Sequence, residues 1–310
     1  MTLPDEALGP GREFDVIREM RSRWGSIAAG IGDDAAVLDV PRGDVLVASN
    51  DTSIEGRHFR RGWLTPHEIG YRAVTAALSD LAAMAARPLG VLVALALPAE
   101  WQSEVAALAD GIGEAAAVAH TRILGGNTSA AGELSLTTTV LGSAFGTLRR
   151  DALRPGDQLY VTGRLGGAGA ACRALDAGLT PAPADRARFA RPVARLTEAR
   201  WLLDRGATAG IDISDGLAAE LQHLAAASGA RLEVQLERVP RVDGVSEREA
   251  AVSGEEYELL VGAPVSLDAR DFERTFGLPL TCIGRAAAGR DVILTSAGAR
   301  VAIPSGYDHL

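Results

Sequence analysis

Strand-like and helix-like segments alternate along most of this chain, and that alternation limits its fold more than any other feature. A strand, a helix and a further strand close most readily into a sheet with helices laid on it, which makes the chain α/β. Residues 12–24 place Phe14, Ile17, Met20 and Trp24 at helical spacing. Two strand-like segments follow, AAVLDV at 35–40 and DVLVAS at 44–49, parted by the turn-forming PRG. Thr65, Pro66 and Glu68 then open a helix over about 66–86, with a hydroxyl cap, proline at the first helical position and glutamate at the third. Strands at 90–97 and 133–146 flank a helix at 101–119 and a loop, LGGNTS, at 124–129.

A length of 310 residues exceeds one ordinary core and suits two. The charged, Pro-Gly-containing stretch RRDALRPGD marks the expected boundary, giving domains 1–147 and 148–310. The second domain opens with the strand QLYVTG and continues with helices at 167–177 and 192–205, the strand GIDIS, a helix over about 216–227 and the strand RLEVQL. It closes with strands near 257–263, 280–284 and 291–303.

A net charge of −9 argues against nucleic acid as a partner, since a phosphate-backbone binder shows a basic face. An acidic protein can still bind phosphates when divalent cations stand between the two anions. The only cysteines, Cys172 and Cys282, lie 110 positions apart and form no metal or redox motif, which fits a reducing compartment. Residues 1–11 read as neither a signal nor a transit peptide, and the longest apolar run, 91–99, is less than half of a membrane span. The expectation is a cytoplasmic protein that neither crosses a membrane nor binds nucleic acid.

The acids carry the chemistry. Asp33, Asp34, Asp51, Asp80, Asp212 and Asp215 fall at strand ends, at a helix start or inside an apolar helix. Between Arg72 and Arg87 the only charged side chain is Asp80, in line with Ile69, Ala73, Ala76 and Met84. A carboxylate on an apolar stripe is costly to bury unless it is paired, hydrogen-bonded or bound to a cation. Each acid alone reads as easily as a helix cap or turn former; several together favour a hard cation such as Mg²⁺. The glycine-rich run 161–169 follows a strand and precedes a helix but matches no phosphate-loop pattern, so close packing and phosphate contact both stay open. The octapeptide ALSDLAAM at 77–84 is weakly echoed in ISDGLAAEL at 213–221. No nucleophile motif is present, and the five histidines are scattered.

Eight segments in order, GIGDDAAVL, SNDTSIEGRHF, IGYRAVTAALSDLAAMAARP, LGGNTS, RPGDQLYVTG, IDISDGLAAELQHL, SGEEYELL and GYDHL, resemble the thiamine-monophosphate kinases over nearly the whole chain. The resemblance implies the two-domain fold of the aminoimidazole ribonucleotide synthetase superfamily, dimerisation through N-terminal strands, and ATP with several Mg²⁺ ions. It implies magnesium positions at Asp33, Ser49, Asn50, Asp51, Asp80, Asp212 and Asp215, with Asp51, Asp80 and Asp215 at the centre of catalysis. It further implies ATP contacts at Gly126, Arg150 and Ser214, and thiamine-phosphate contacts at His58, Glu255 and Tyr307. Asn127 stands where the family has an aspartate ligand, and Ser253-Gly254-Glu255-Glu256 stands where the family usually has Gly-Gly-Glu-Asp. Asn50 replaces a usual threonine and Ala77 a usual asparagine. The expected activity is in-line transfer of the ATP γ-phosphoryl group to thiamine monophosphate. An amidine-forming synthetase of the same superfamily, or a nucleotide-binding homologue weakened at Asn127, remains as an alternative at this point.

Overall fold

The computed structural model describes residues 12–28, 31 and 35–304. The chain divides into two compact units, one made of 1–81 and 87–145 and the other of 82–86 and 146–310.

The first unit is a four-stranded sheet in the order β1-β4-β2-β3, with β1 at Val45–Ile54, β2 at Arg87–Leu97, β3 at Ile123–Ala130 and β4 at Ser135–Ala144. Helix α1 spans Arg12–Trp24, α2 spans Pro66–Ala83 between β1 and β2, and α3 spans Val105–Val118 in the crossover from β2 to its parallel neighbour β3. The sequence-read opening of α2 is borne out. The Glu68 N–H donates to Thr65 Oγ1 at 3.2 Å and the Thr65 N–H to Glu68 Oε2 at 2.8 Å, a reciprocal cap. The helix stops at Ala83 rather than 86, because Ala85 turns to a left-handed φ of 53°.

Two sequence expectations fail in this unit. Residues 35–40 form no strand, and Val37 is 90% exposed, so the segment finds no ladder partner among the described residues. LGGNTS is not a loop but the body of β3. A Cβ on Gly126 would lie 1.8 Å from the Val93 carbonyl oxygen, so a glycine that weakens strand propensity is what allows β2 and β3 to pair.

The second unit is a seven-stranded mixed sheet in the order β11-β10-β7-β9-β5-β8-β6. Its strands are β5 Gln158–Thr162, β6 Ala209–Asp212, β7 Arg231–Gln235, β8 Leu259–Ala263, β9 Leu280–Ala287, β10 Val292–Ser296 and β11 Ala299–Val301. Helices α4 Gly167–Asp176, α5 Pro183–Ala190, α6 Leu196–Asp204, α7 Leu217–Ser228, α8 Glu247–Ala251 and α9 Ala269–Phe276 accompany it. Sequence reading missed α5 and began α6 four residues early. Side chains of β5 alternate between two cores, as strand pleating demands. Leu159 and Val161 join Leu217, Leu221 and Leu224 of α7, while Tyr160 joins Trp201, Leu202 and Phe272 of α6 and α9. Both faces of the sheet are therefore covered by helices.

Helix α2, which carries Asp80, is held unusually close to α3. A Cβ on Gly111 would stand 1.9 Å from the His67 carbonyl oxygen, and one on Gly70 would stand 2.2 Å from that of Leu108. Gly111→Ala should therefore lower the unfolding free energy by about 2–3 kcal/mol through overpacking. Gly132→Ala, whose Cβ would meet nothing within 4 Å, should stay within about 0.5 kcal/mol of wild type in the same urea titration.

Candidate functional site

In the first unit, β1 sets the geometry. Alternation along the strand puts Ser49 and Asp51 on one face and Asn50 on the other. The Ser49 hydroxyl donates to Asp80 Oδ2 at 2.5 Å, so the one acid of the apolar α2 stripe reaches the β1 face that carries Asp51. Asp51 Oδ1 accepts the Thr52 N–H at 2.7 Å. Asn50 Nδ2 donates instead to Thr139 Oγ1 at 2.7 Å, across the ladder to β4. His58 follows β1, and its Nδ1 accepts the Ile54 N–H at 3.1 Å, which leaves the proton of the neutral ring on Nε2. Gly126 and Asn127 lie exposed on β3.

The second unit holds Arg150, Asp212, Ser214, Asp215 and Glu255. Asp212 ends β6 and is buried. Ser214 and Asp215 occupy the turn into α7, where Gly216 at φ 102° is pressed against the Val252 backbone. Sequence reasoning missed Glu220, although it lies inside a quoted motif. Its Oε1 accepts the Asp215 N–H at 3.1 Å and the Ser214 hydroxyl at 3.4 Å, and so fixes the turn that carries both. Burial pushes the Glu220 carboxyl above its ordinary value against the Asp215 N–H bond, and the Asp215 charge pushes the same way. Arg150 lines an open cleft of about 330 Å³ with Met84, Arg149, Asp151 and Ala227.

The glycine-rich run 161–169 has an internal explanation. Glu256 Oε1 accepts the N–H groups of Gly166 and Ala168 at 2.8 and 3.1 Å, at the positive end of α4. Ser253 Oγ accepts the next N–H, that of Gly169, at 2.9 Å. A Cβ on Gly163 would fall 2.1 Å from Glu258 Oε1. The loop thus encloses two of the protein's own carboxylates, and close packing accounts for its glycines. Glu258 is held by Arg195, whose Nε and Nη2 donate to it at 2.9 and 2.6 Å, and by Thr162 Oγ1 at 2.7 Å. All 31 basic side chains of the chain are arginines. Burial works against the Arg195 charge, and Glu258, joined by Glu198, more than offsets it, so the guanidinium is held above its usual pKa.

The expected site residues are thus shared between the units, while Asp33 and Tyr307 lie outside the described residues. The two SD sequences that echo each other stand differently, Asp80 within α2 and Asp215 ahead of α7. Among the described residues no three acids, histidines or cysteines stand together as a cation cage. The donors that Ser49, Asp51 and Asp80 offer are all hard oxygens, a set that fits Mg²⁺, which commonly takes one or two carboxylates and completes its shell with water and substrate phosphate.

The two halves match the two domain families of AIR synthase related proteins, the N-terminal domain over residues 32–144 and the C-terminal domain over 154–296. A mixed sheet in each unit, with Asp51 within β1 of the first and Asp212 at the end of β6 in the second, is what this class presents here. Within the class the chain belongs to the thiamine-monophosphate kinase family. It is 34% identical to the thiamine-monophosphate kinase of Salmonella typhimurium over 317 aligned positions, covering 96% of each chain. The solved thiamine-monophosphate kinase of Stenotrophomonas maltophilia matches with a TM-score of 0.81 at 34% identity, over 93% of this chain and 98% of that one. The solved complex of AaThiL with AMPPCP and TMP matches with a TM-score of 0.78 at 28% identity, over 100% and 99%. The fold expected from the sequence is borne out.

Because the folded protein holds a proton on Glu220 more tightly than the unfolded chain does, this residue's contribution is complete below the ordinary glutamate pKa. It is lost as pH rises through the raised folded value. Glu220→Gln keeps a carbonyl for the Asp215 N–H and titrates nowhere. In metal-free chemical denaturation from pH 4 upward, the variant should therefore gain stability relative to wild type as pH increases and then level off.

Proposed function

We propose that this chain transfers the γ-phosphoryl group of ATP to thiamine monophosphate, yielding thiamine diphosphate and ADP. Its whole-length likeness to thiamine-monophosphate kinases, one of them solved with AMPPCP and TMP, carries the reading. A phosphate oxygen of the acceptor forms the new bond to the γ-phosphorus. The bond from that phosphorus to the β–γ bridging oxygen breaks, and ADP leaves with the oxygen. No phosphoenzyme intervenes. A phosphomonoester whose second pKa is near 6 already presents an anionic oxygen at neutral pH, so no side chain needs to remove a proton. Scattered histidines and the lack of a nucleophile motif agree with this chemistry.

The work left to the protein is alignment and charge neutralisation. Magnesium, when bound, supplies positive charge against the phosphate oxygens. The residues that would hold it are Asp51 and Asp80 with Ser49 and Asn127, then Asp212 and Asp215, and Asp33 from outside the described residues; Asn50, whose side chain turns to Thr139, would reach it only through its backbone carbonyl. Ser49 orients the Asp80 carboxylate. Gly126, Arg150 and Ser214 take ATP, the cleft beside Arg150 offering space for part of the nucleotide. His58, Glu255 and Tyr307 take thiamine monophosphate, with His58 Nε2–H as a donor suited to a phosphate oxygen.

A second copy of the chain docks on β1 to form a homodimer. In support, β1 is an edge strand among the described residues, and its Val45 and Leu46 are 57% and 55% exposed. An unpaired apolar edge is a liability unless something covers it. Among the described residues no helix is long and apolar enough to cross a membrane, and both cysteines are free thiols. We place the enzyme in the cytoplasm, where ATP is available and thiols stay reduced.

Purified protein with MgATP should release ADP when given thiamine monophosphate and not when given formylglycinamidine ribonucleotide; the reverse preference overturns the reading. Asp80→Asn should cut turnover by about 100-fold with an unshifted Tm, because an amide in place of a liganding carboxylate costs metal affinity more than packing. Asn127→Asp should lower the Mg²⁺ concentration giving half-maximal ADP formation, since the added charge strengthens a hard-cation site. An unchanged or rightward-shifted magnesium curve would remove Asn127 from the metal set.

A further inference from the structure

Residues 253–258 use their side chains in two directions. Glu256 and Glu258 are 7% and 1% exposed, whereas Glu255 is half-buried with its carboxylate bonded by the Tyr257 hydroxyl. Glu255 and Tyr257 both take left-handed backbone, with φ of 63° and 54°. A residue with a Cβ pays roughly 1–2 kcal/mol for that conformation, and two such residues within three positions persist only where the surroundings fix them. The fixing groups are specific. The N–H groups of Glu255 and Tyr257 donate to the carbonyls of Ser214 and Ile213 at 2.7 and 2.9 Å, and the Ile213 N–H returns to the Glu258 carbonyl at 2.8 Å. Between the two left-handed residues, Glu256 Oε1 collects the Gly166 and Ala168 N–H groups and the Ser253 hydroxyl, the last at 2.5 Å.

Stability alone does not call for a carboxylate here. Well-packed apolar side chains in place of buried ionic groups are often neutral or stabilising. What an apolar residue could not do is pin the backbone at this one register through three directed hydrogen bonds. We infer that Glu256 is a positioning residue for the acceptor: anchored in the glycine loop, it sets the left-handed turns on either side of it and so aims the Glu255 carboxylate at the cationic thiazolium ring of thiamine monophosphate. The inference rests on reading Glu255 as a thiamine-phosphate contact. Tyr257 adds to the restraint, its hydroxyl donating to the Glu255 carboxylate. Burial pushes the Glu256 carboxyl up, against the Ser253 bond and the Arg188 charge, so a neutral amide that still offers an acceptor oxygen is a close stand-in.

Steady-state kinetics on wild type, Glu256→Ala, Glu256→Gln, Glu255→Gln and the Glu255→Gln/Glu256→Ala double variant tests this, each substrate being varied against saturation with the other. Glu256→Ala should raise the KM for thiamine monophosphate about tenfold and leave that for ATP within about twofold, since it disturbs the site of one substrate only. Glu256→Gln should return the first KM to within about threefold of wild type. In the Glu255→Gln background, Glu256→Ala should add less than about twofold, because a residue acting through another shows no separate effect once that other is gone. If Glu256→Ala does not fold, Ser253→Ala, which removes one of the three donors, should shift the same KM in the same direction by a smaller factor. Equal shifts in both KM values, additive effects in the double variant, or an unmoved KM in Ser253→Ala overturns the inference alone. A wild type inactive on thiamine monophosphate overturns the functional reading and this inference with it.

Discussion

The second unit is organised around one buried carboxylate, that of Glu258. Arg195 grips it through two nitrogens from just ahead of α6, and Thr162 bonds it from the end of β5. The same threonine hydroxyl accepts the Leu259 N–H at 2.8 Å, so the end of β5 and the start of β8 are joined twice. The Glu258 carbonyl takes the Ile213 N–H, which hangs the turn with Ser214 and Asp215 from the same point. Removing one partner of a buried pair costs about 3–5 kcal/mol when the other charge is left uncompensated, and here Arg188, 3.5 Å from Glu258, and Glu198, 3.4 Å from Arg195, would offset part of that. A mobile ammonium would be a poorer counter-ion than the planar fork of Arg195, which matches a carboxylate along two directions.

The chain separates two jobs for acidic side chains. Glu220, Glu256 and Glu258 are spent on the protein's own backbone and arginines, and they hold turns in place. In the first unit Asp51 lies on β1 and Asp80 on α2, the helix held close to α3; in the second, Asp215 lies in the turn that Glu220 fixes. Rigid support behind sparse donors suits the proposed reaction, in which two phosphate groups, both rich in oxygen, would complete the coordination of a bound Mg²⁺.

The sequence disclosed what depends on local chemistry. The reciprocal cap at Thr65 and Glu68, the amphipathic α1 and the anomalous Asp80 were all readable, because each is a matter of spacing along one segment. The ordered motifs disclosed the family, and with it the fold. Features that depend on a distant partner were hidden. LGGNTS reads as a loop until the Val93 carbonyl shows why Gly126 must lack a Cβ in a paired strand. AAVLDV reads as a strand but has nothing to pair with among the described residues. The glycines of 161–169 admit a bound phosphate until Glu256 and Glu258, about 90 positions later, are seen to fill the space. Positive φ at Glu255 and Tyr257 has no signature in residue type at all.

The arginine-only basic set makes the protein's response to pH lopsided. Guanidinium keeps its charge far above neutrality, whereas a lysine ammonium begins to lose its charge near pH 10. Among the described residues, the positive half of every ion pair except that of His67 with Glu114 is therefore constant across any pH a cell reaches. Acidification can loosen the fold by neutralising carboxylates that a neighbouring guanidinium holds below their ordinary pKa, such as Asp151 beside Arg149 and Asp291 beside Arg231. Alkali has no ammonium side chain to discharge, and must act on tyrosine hydroxyls and two thiols, none of which forms the hub around Glu258.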